Sequence, residues 1–230
     1  MKLLSIDTST DACSVALFND GISQELYELC PRQHTERVLP MVDELLTISN
    51  LSLSELDAIA YGAGPGSFTG VRVATSVIQG LAFSAELPVI AVSSLAALAQ
   101  QAYRLEQKET IISTIDARMN ELYWGCYEVV DGLIQLINTE QVSKPEMIEC
   151  DKPIHFLGSG WDTFSTELTQ LKSVNIASFT DNCLPHAQDV ALIAVSLFEA
   201  GKVEPAENAI PSYIRNEVTW KKISQQPQKT

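Results

Sequence analysis

One pattern limits the fold more than any other: a short strand-forming run ending in Ile-Asp occurs twice. Leu3-Leu-Ser-Ile-Asp7 opens the chain, and Ile111-Ile-Ser-Thr-Ile-Asp116 repeats it after a polar stretch from Tyr103 to Thr110. Each copy is followed by a second apolar run and then an Asp-Gly turn, Asp20-Gly21 in one case and Asp131-Gly132 in the other. Asp-Gly between β-favouring runs is a strong hairpin signal, because such turns need positive φ at their central residues. The recurrence reads as a duplicated strand–turn–strand–turn unit, and it predicts two similar α/β lobes facing a cleft.

Within the first copy, runs at 2–8, 12–18 and 22–30 predict three antiparallel strands. Periodicity then predicts a helix from about 35 to 49, a strand at 57–62, a Gly-rich loop at 62–70, a helix to about 84, a strand at 88–92 and a helix from 93. The first lobe is therefore placed at residues 1–106. A second, reduced lobe takes 107–215, with a strand at 154–158 and helices near 161–171 and 187–200. Residues 216–230 form a polar tail. The expected class is α/β with duplicated βββαβα lobes.

Composition removes several function classes. A formal charge of −14 leaves no basic tract for non-specific binding to nucleic acid or to an anionic membrane. The start reaches an acid at Asp7, too early for the apolar core of a signal peptide. The most apolar region, 71–99, is broken by Arg72, Glu86 and Pro88, so no membrane span is predicted. Five cysteines without a Cys-x-x-Cys pair read as free thiols of a reducing cytoplasm.

The segment Gly62-Ala-Gly-Pro-Gly-Ser-Phe-Thr-Gly70 is the most distinctive in the chain. Backbone N–H groups at such a helix start can cradle an anion, yet the Lys of a Walker loop is missing after Gly70. The other reading is a structural loop in which Gly64, Gly66 and Gly70 allow close packing. Asp7-Thr-Ser-Thr10 has the residue types for a magnesium–phosphate turn but no glycine, which favours a plain hairpin. His34, His155 and His186 are far apart, and His34 is followed at the i+4 position by Val38, so one helix face offers no paired imidazoles. Ser67 lies in no nucleophile motif. No catalytic, cofactor-binding or metal-ligating residue is assigned.

The two first-lobe helices carry surplus apolar surface. Val38, Leu39, Met41, Val42, Leu45, Leu46 and Ile48 span about half the helix circumference, wider than the ~100° stripe of a core-facing helix. From Gly70 to Ala85 the only charge is Arg72. Either the rest of the chain covers these faces or another molecule does. The surfaces assigned to a partner are Leu39, Met41, Leu45 and Leu46 on the first helix, and Arg72, Val73, Ser76, Gln79, Gly80 and Phe83 on the second.

Taken in order, Leu4–Leu17, His34-Thr-Glu-Arg-Val-Leu-Pro40, Gly64-Pro-Gly-Ser-Phe-Thr-Gly-Val-Arg72, Val92–Leu98, Asp116-Ala-Arg118 and Pro211-Ser-Tyr-Ile-Arg215 resemble the bacterial TsaB family, also called YeaZ. The resemblance implies a two-lobed fold of the actin, sugar-kinase and Hsp70 (ASKHA) type. It also implies a non-catalytic subunit in the making of threonylcarbamoyladenosine next to the tRNA anticodon. That subunit pairs with the catalytic TsaD, with the ATPase TsaE joining the pair; the surplus apolar faces of the two helices predict packing against TsaD, and against a second copy of this chain when TsaD is absent. The missing phosphate- and metal-binding residue types predict no cofactor, and the charge of −14 predicts no strong direct tRNA binding. TsaD carries a His-x-x-x-His metal motif where this chain has His34 and Val38. An ATP-dependent kinase of this fold and a glycopeptidase-like metalloenzyme are the alternatives; each needs residues that are missing here.

Overall fold

Residues 1–215 are described by the structure, a computed structural model. The predicted tail at 216–230, with Lys221, Lys222 and Lys229, lies outside the described residues. Two sheets form. The first has the order β3-β2-β1-β4-β5, built from β1 (Lys2–Asp7), β2 (Ala12–Asn19), β3 (Ile22–Leu29), β4 (Ala58–Gly64) and β5 (Val89–Ser93). The second has the order β11-β10-β6-β7-β8, built from β6 (Thr110–Arg118), β7 (Glu121–Val130), β8 (Leu133–Leu136), β10 (Cys150–Leu157) and β11 (Val174–Thr180), with β9 (Gln141–Ser143) paired to β7.

The two orders are the same once strands are matched by position in the lobe. In each, an antiparallel three-strand meander is followed by two strands added in parallel on the far side of its first strand. Parallel additions need crossover helices, and the sequence supplies them. The duplication read from Ile-Asp and Asp-Gly is thus present as topology, and the arrangement is the actin-like fold.

Helices α1 (His34–Ile48) and α2 (Phe68–Ala85) cover one face of the first sheet, burying Val38, Val42, Ala74 and Ile78 against Leu4, Ile6, Val15 and Ile59. On the second sheet α4 (Ser159–Leu168) buries Trp161 against Ile112, Trp124 and Phe156. Between β8 and β10 the second lobe has β9 and a 3-10 turn at Pro145–Met147 in place of an α1 equivalent, which is how it is reduced.

The remaining two helices exchange lobes. α3 (Ser94–Glu106) follows β5 but packs Leu95 and Leu98 on Ile111, Ile115 and Tyr127 of the second sheet. α5 (Ala187–Glu199) follows β11 but lays Val190, Ala191 and Ala194 on Leu3, Ala58, Ala60 and Val92 of the first. The helix expected at 187–200 therefore exists, but assigning it to the second lobe is corrected. Small residues on both surfaces let it seat closely. The Arg104 guanidinium donates from Nε and Nη2 to the two oxygens of the fully buried Asp189, each at 2.8 Å, which ties α3 to α5. No helix of the described residues is long and apolar enough to cross a membrane.

Candidate functional site

α1 and α2 lie side by side on the outer face of the first lobe. α2 begins where Ser67 caps it, its Oγ accepting from the Gly70 N–H at 3.3 Å. Its inward positions are Val71, Ala74, Thr75, Ile78 and Ala82. On the opposite side Ser76, Gln79 and Gly80 are exposed, and Phe83 is 75% exposed. On α1, Leu39 is 49% exposed. Thr35, Phe68, Arg72, Val73 and Ser76 line a hollow of about 310 Å³ between the two helices. Arg72 stands at its rim with its guanidinium carbon 3.3 Å from the Phe68 ring centroid and 5.3 Å from that of Tyr213.

Two of the ten residues assigned to the partner surface belong elsewhere. Met41 and Leu45 are buried in the first-lobe core, and Leu46 packs partly against it. A wide apolar arc has two edges, and on α1 the sheet takes the edge that holds Met41 and Leu45. The flank of α2 is also partly covered from within the chain. A strap after α5 pairs Glu204 with Val89, buries Ala206 and Ala209, and receives a 3.4 Å hydrogen bond from Gln79 Nε2 at the Glu207 carbonyl. What stays open is a narrower strip: Leu39, Arg72, Val73, Ser76, Gly80 and Phe83. Nothing lies within 4 Å of where a Cβ at Gly80 would stand, so a neighbouring backbone can approach there.

The Gly-rich loop faces inward. The Ser67 N–H, one of the groups able to cradle an anion, donates to the Ser9 carbonyl at 2.7 Å, and Thr8 Oγ1 donates to the Gly70 carbonyl at 2.7 Å. A Cβ at Gly66 would stand 2.3 Å from the Ser9 carbonyl oxygen, and one at Gly70 would stand 2.0 Å from that of Thr8. These glycines let the loop close on the β1–β2 turn. Gly64 is needed for its backbone, at φ +103°.

Asp7 is likewise engaged. Its Oδ1 accepts from the Ser9 N–H at 2.8 Å and the Ser9 hydroxyl at 2.7 Å, and its Oδ2 accepts from Ser94 Oγ at 3.2 Å. Burial pushes its carboxyl above the ordinary aspartate value, against the pull of those hydrogen bonds. His34 is buried at the first position of α1, and Val38, where a second imidazole would be needed, is fully buried in the core. Among the described residues no group of three His, Cys, Asp or Glu side chains is placed to hold a metal ion. Between the lobes a cleft of about 550 Å³ is lined by Thr10, Ser67, Asp116, Arg118 and Ser159.

Residues 26–223 match the family described as TsaD: tRNA N6-adenosine threonylcarbamoyltransferase. The Escherichia coli K12 protein named tRNA threonylcarbamoyladenosine biosynthesis protein TsaB is 44% identical over 229 residues, covering 97% of this chain and 98% of its own. The Haemophilus influenzae protein of the same name is 42% identical and covers 97% of both. The chain belongs to the TsaB family. The solved structure described as YeaZ from Pseudomonas aeruginosa agrees, with a TM-score of 0.87 at 44% identity over 92% of this chain and 99% of that one.

Within this TsaB-family chain, the stretch Pro211–Arg215 acquires a place that sequence reasoning did not give it. Tyr61 Oη donates to the Ile210 carbonyl at 3.1 Å and accepts from its N–H at 3.0 Å, and the Ser212 N–H donates to the Ala63 carbonyl at 2.8 Å. Arg215 then reaches Glu121 of the second lobe at 2.5 Å. The strap thus crosses from the flank of α2 to the other sheet. These contacts join residues far apart in sequence, and no local signal announces them.

Proposed function

We propose that this protein is a non-catalytic subunit of a tRNA threonylcarbamoyladenosine-forming assembly, and that it pairs through α1 and α2 with TsaD. TsaE joins that pair. The TsaB-family names place the relatives in this biosynthesis, and the exposed strip Leu39, Ser76, Gly80 and Phe83 is the observation that carries the pairing. Small and apolar residues on adjacent helices, with open space over Gly80, suit helix-on-helix packing at close distance. When TsaD is absent, a second copy of this chain meets the same face across a two-fold axis. The assembly works in the cytoplasm.

The non-catalytic part of the reading rests on the spent polar groups. Asp7, Thr8 and the Ser67 N–H are engaged within the chain, and α1 offers one imidazole where a paired site needs two. The test is reconstitution of tRNA modification by TsaD and TsaE with and without this chain. Modification is expected to depend on the chain and to survive Asp7→Asn and His34→Gln. Loss of modification with either variant, in a protein that still folds and still binds TsaD, contradicts the non-catalytic role.

A further inference from the structure

Five cysteines scattered through the sequence give no pairing signal, yet the fold brings four of them together in two pairs, Cys13 with Cys30 in the first-lobe core and Cys126 with Cys150 in the second lobe. Cys126 on β7 and Cys150 at the head of β10 have their sulfurs 3.7 Å apart, although these strands are not neighbours in the sheet. Cys126 is 4% exposed, whereas Cys150 is only half-buried and open to a reagent in solution. We propose that Cys126 and Cys150 are a dithiol modification site that closes to an intramolecular disulfide on reaction with a small-molecule disulfide such as oxidised glutathione.

The surroundings allow the motion that bonding requires. The ladder between β10 and β11 slips its register between Cys150 and Pro153, where proline lacks the N–H for regular pairing, so the backbone at Cys150 is not clamped by a continuous ladder. Cys150 pairs with Val174 at the end of that ladder, and its N–H donates to the Ser173 carbonyl at 3.1 Å. Lys152 is ion-paired with Glu128, two residues beyond Cys126 on β7. Cys126 is buried and Cys150 is half-buried, so Cys150 is the sulfur a reagent in solution reaches first; burial also pushes the Cys126 thiol up to about 12.

The chemistry balances. The Cys150 thiolate attacks one sulfur of oxidised glutathione, forming a mixed disulfide and expelling one glutathione thiolate. Cys126 then gives up its proton to solvent and attacks the Cys150 sulfur, expelling the second. Two protein thiols are oxidised and one glutathione disulfide is reduced to two thiols. The new bond closes a loop containing β8, β9 and the Pro145–Met147 turn, the part of the second lobe that replaces a helix. Tethering this segment restrains the unfolded chain and raises the melting temperature of the oxidised protein.

The buried pair Cys13 and Cys30, 0% and 3% exposed, provides an internal comparison because reagent cannot reach it in the folded chain. The full chain is incubated with oxidised glutathione, the remaining thiols are alkylated after unfolding, and peptides are mapped by mass spectrometry. The expected product is a Cys126–Cys150 linked peptide pair with loss of two hydrogens, reversed by dithiothreitol. Cys126→Ser should trap a glutathione adduct on Cys150, and Cys150→Ser should leave Cys126 unreacted. A wild-type chain that keeps glutathione on Cys150 with Cys126 still alkylatable overturns the proposal. So does linkage of Cys13 to Cys30 in preference, or no reaction at either member of the pair.

Discussion

Gly70 and Gly80 stand on the same helix under opposite demands. A methyl group at Gly70 would meet the backbone carbonyl of Thr8, which cannot rotate away, so Gly70→Ala should destabilise the protein by about 2–4 kcal/mol. At Gly80 there is open space, and Gly80→Ala should stabilise the isolated chain by up to about 1 kcal/mol, because alanine is the better helix former. Denaturant titration of both variants checks the pair. The sequence shows glycines at both places and cannot tell them apart, because the difference lies in the β1–β2 turn that folds back over one of them. A pH test belongs to Asp7. Its carboxyl is raised in the folded chain by burial, so folding favours the protonated form. That contribution is complete below the ordinary aspartate range and is lost as pH rises through the folded value. Asparagine has no charge to bury, and it can still accept from Ser9 and donate to Ser94. Asp7→Asn should therefore melt above the wild type at neutral pH, with the margin shrinking on acidification. An unchanged margin from neutral to acid pH would show that Asp7 carries no such burden.

At the scale of elements, the exchange of α3 and α5 is the feature that chain order concealed. The sequence predicts a helix near 187–200, and order along the chain then assigns it to the second lobe. Covering of the other sheet is decided by the crossover and by small residues such as Ala58, Ala60 and Ala191, which give room for close seating. The Arg104–Asp189 pair fastens this exchange. Removing one member strands the other in the interior, so Arg104→Met should cost roughly 3–5 kcal/mol, whereas Arg37→Met at the half-exposed Glu28 pair should cost under about 1 kcal/mol. Thermal unfolding of the two variants decides whether the α3–α5 contact is a main fastening between lobes. The same limit of periodicity explains Met41 and Leu45. An apolar arc wider than one sheet needs shows that a helix has two neighbours, but it does not show which residues each neighbour takes.

For the molecule as a whole, the duplication was legible because both copies keep their strand ends and turn residues, and these are what set the topology. The strap from Glu204 to Arg215 was not legible, since it depends on hydrogen bonds to Tyr61 and Ala63 and on an ion pair with Glu121. The net charge of −14 bears on function at this scale. Phosphate contacts need clustered cations, so the isolated protein should bind tRNA weakly and with little preference over other RNA in gel-shift titration at physiological salt. Submicromolar, tRNA-selective binding would contradict this. The central claim, that the face made by α1 and α2 is where TsaD docks, is tested most directly by sedimentation of wild type and Ser76→Arg, each alone and mixed with TsaD. Ser76 is exposed in the free chain, so the variant should fold with an unchanged melting temperature. A long cation placed in a closely packed helix contact without a partner costs on the order of 3 kcal/mol, so association with TsaD and with itself should weaken roughly a hundredfold. A folded Ser76→Arg protein that sediments with TsaD as the wild type does would contradict the claim.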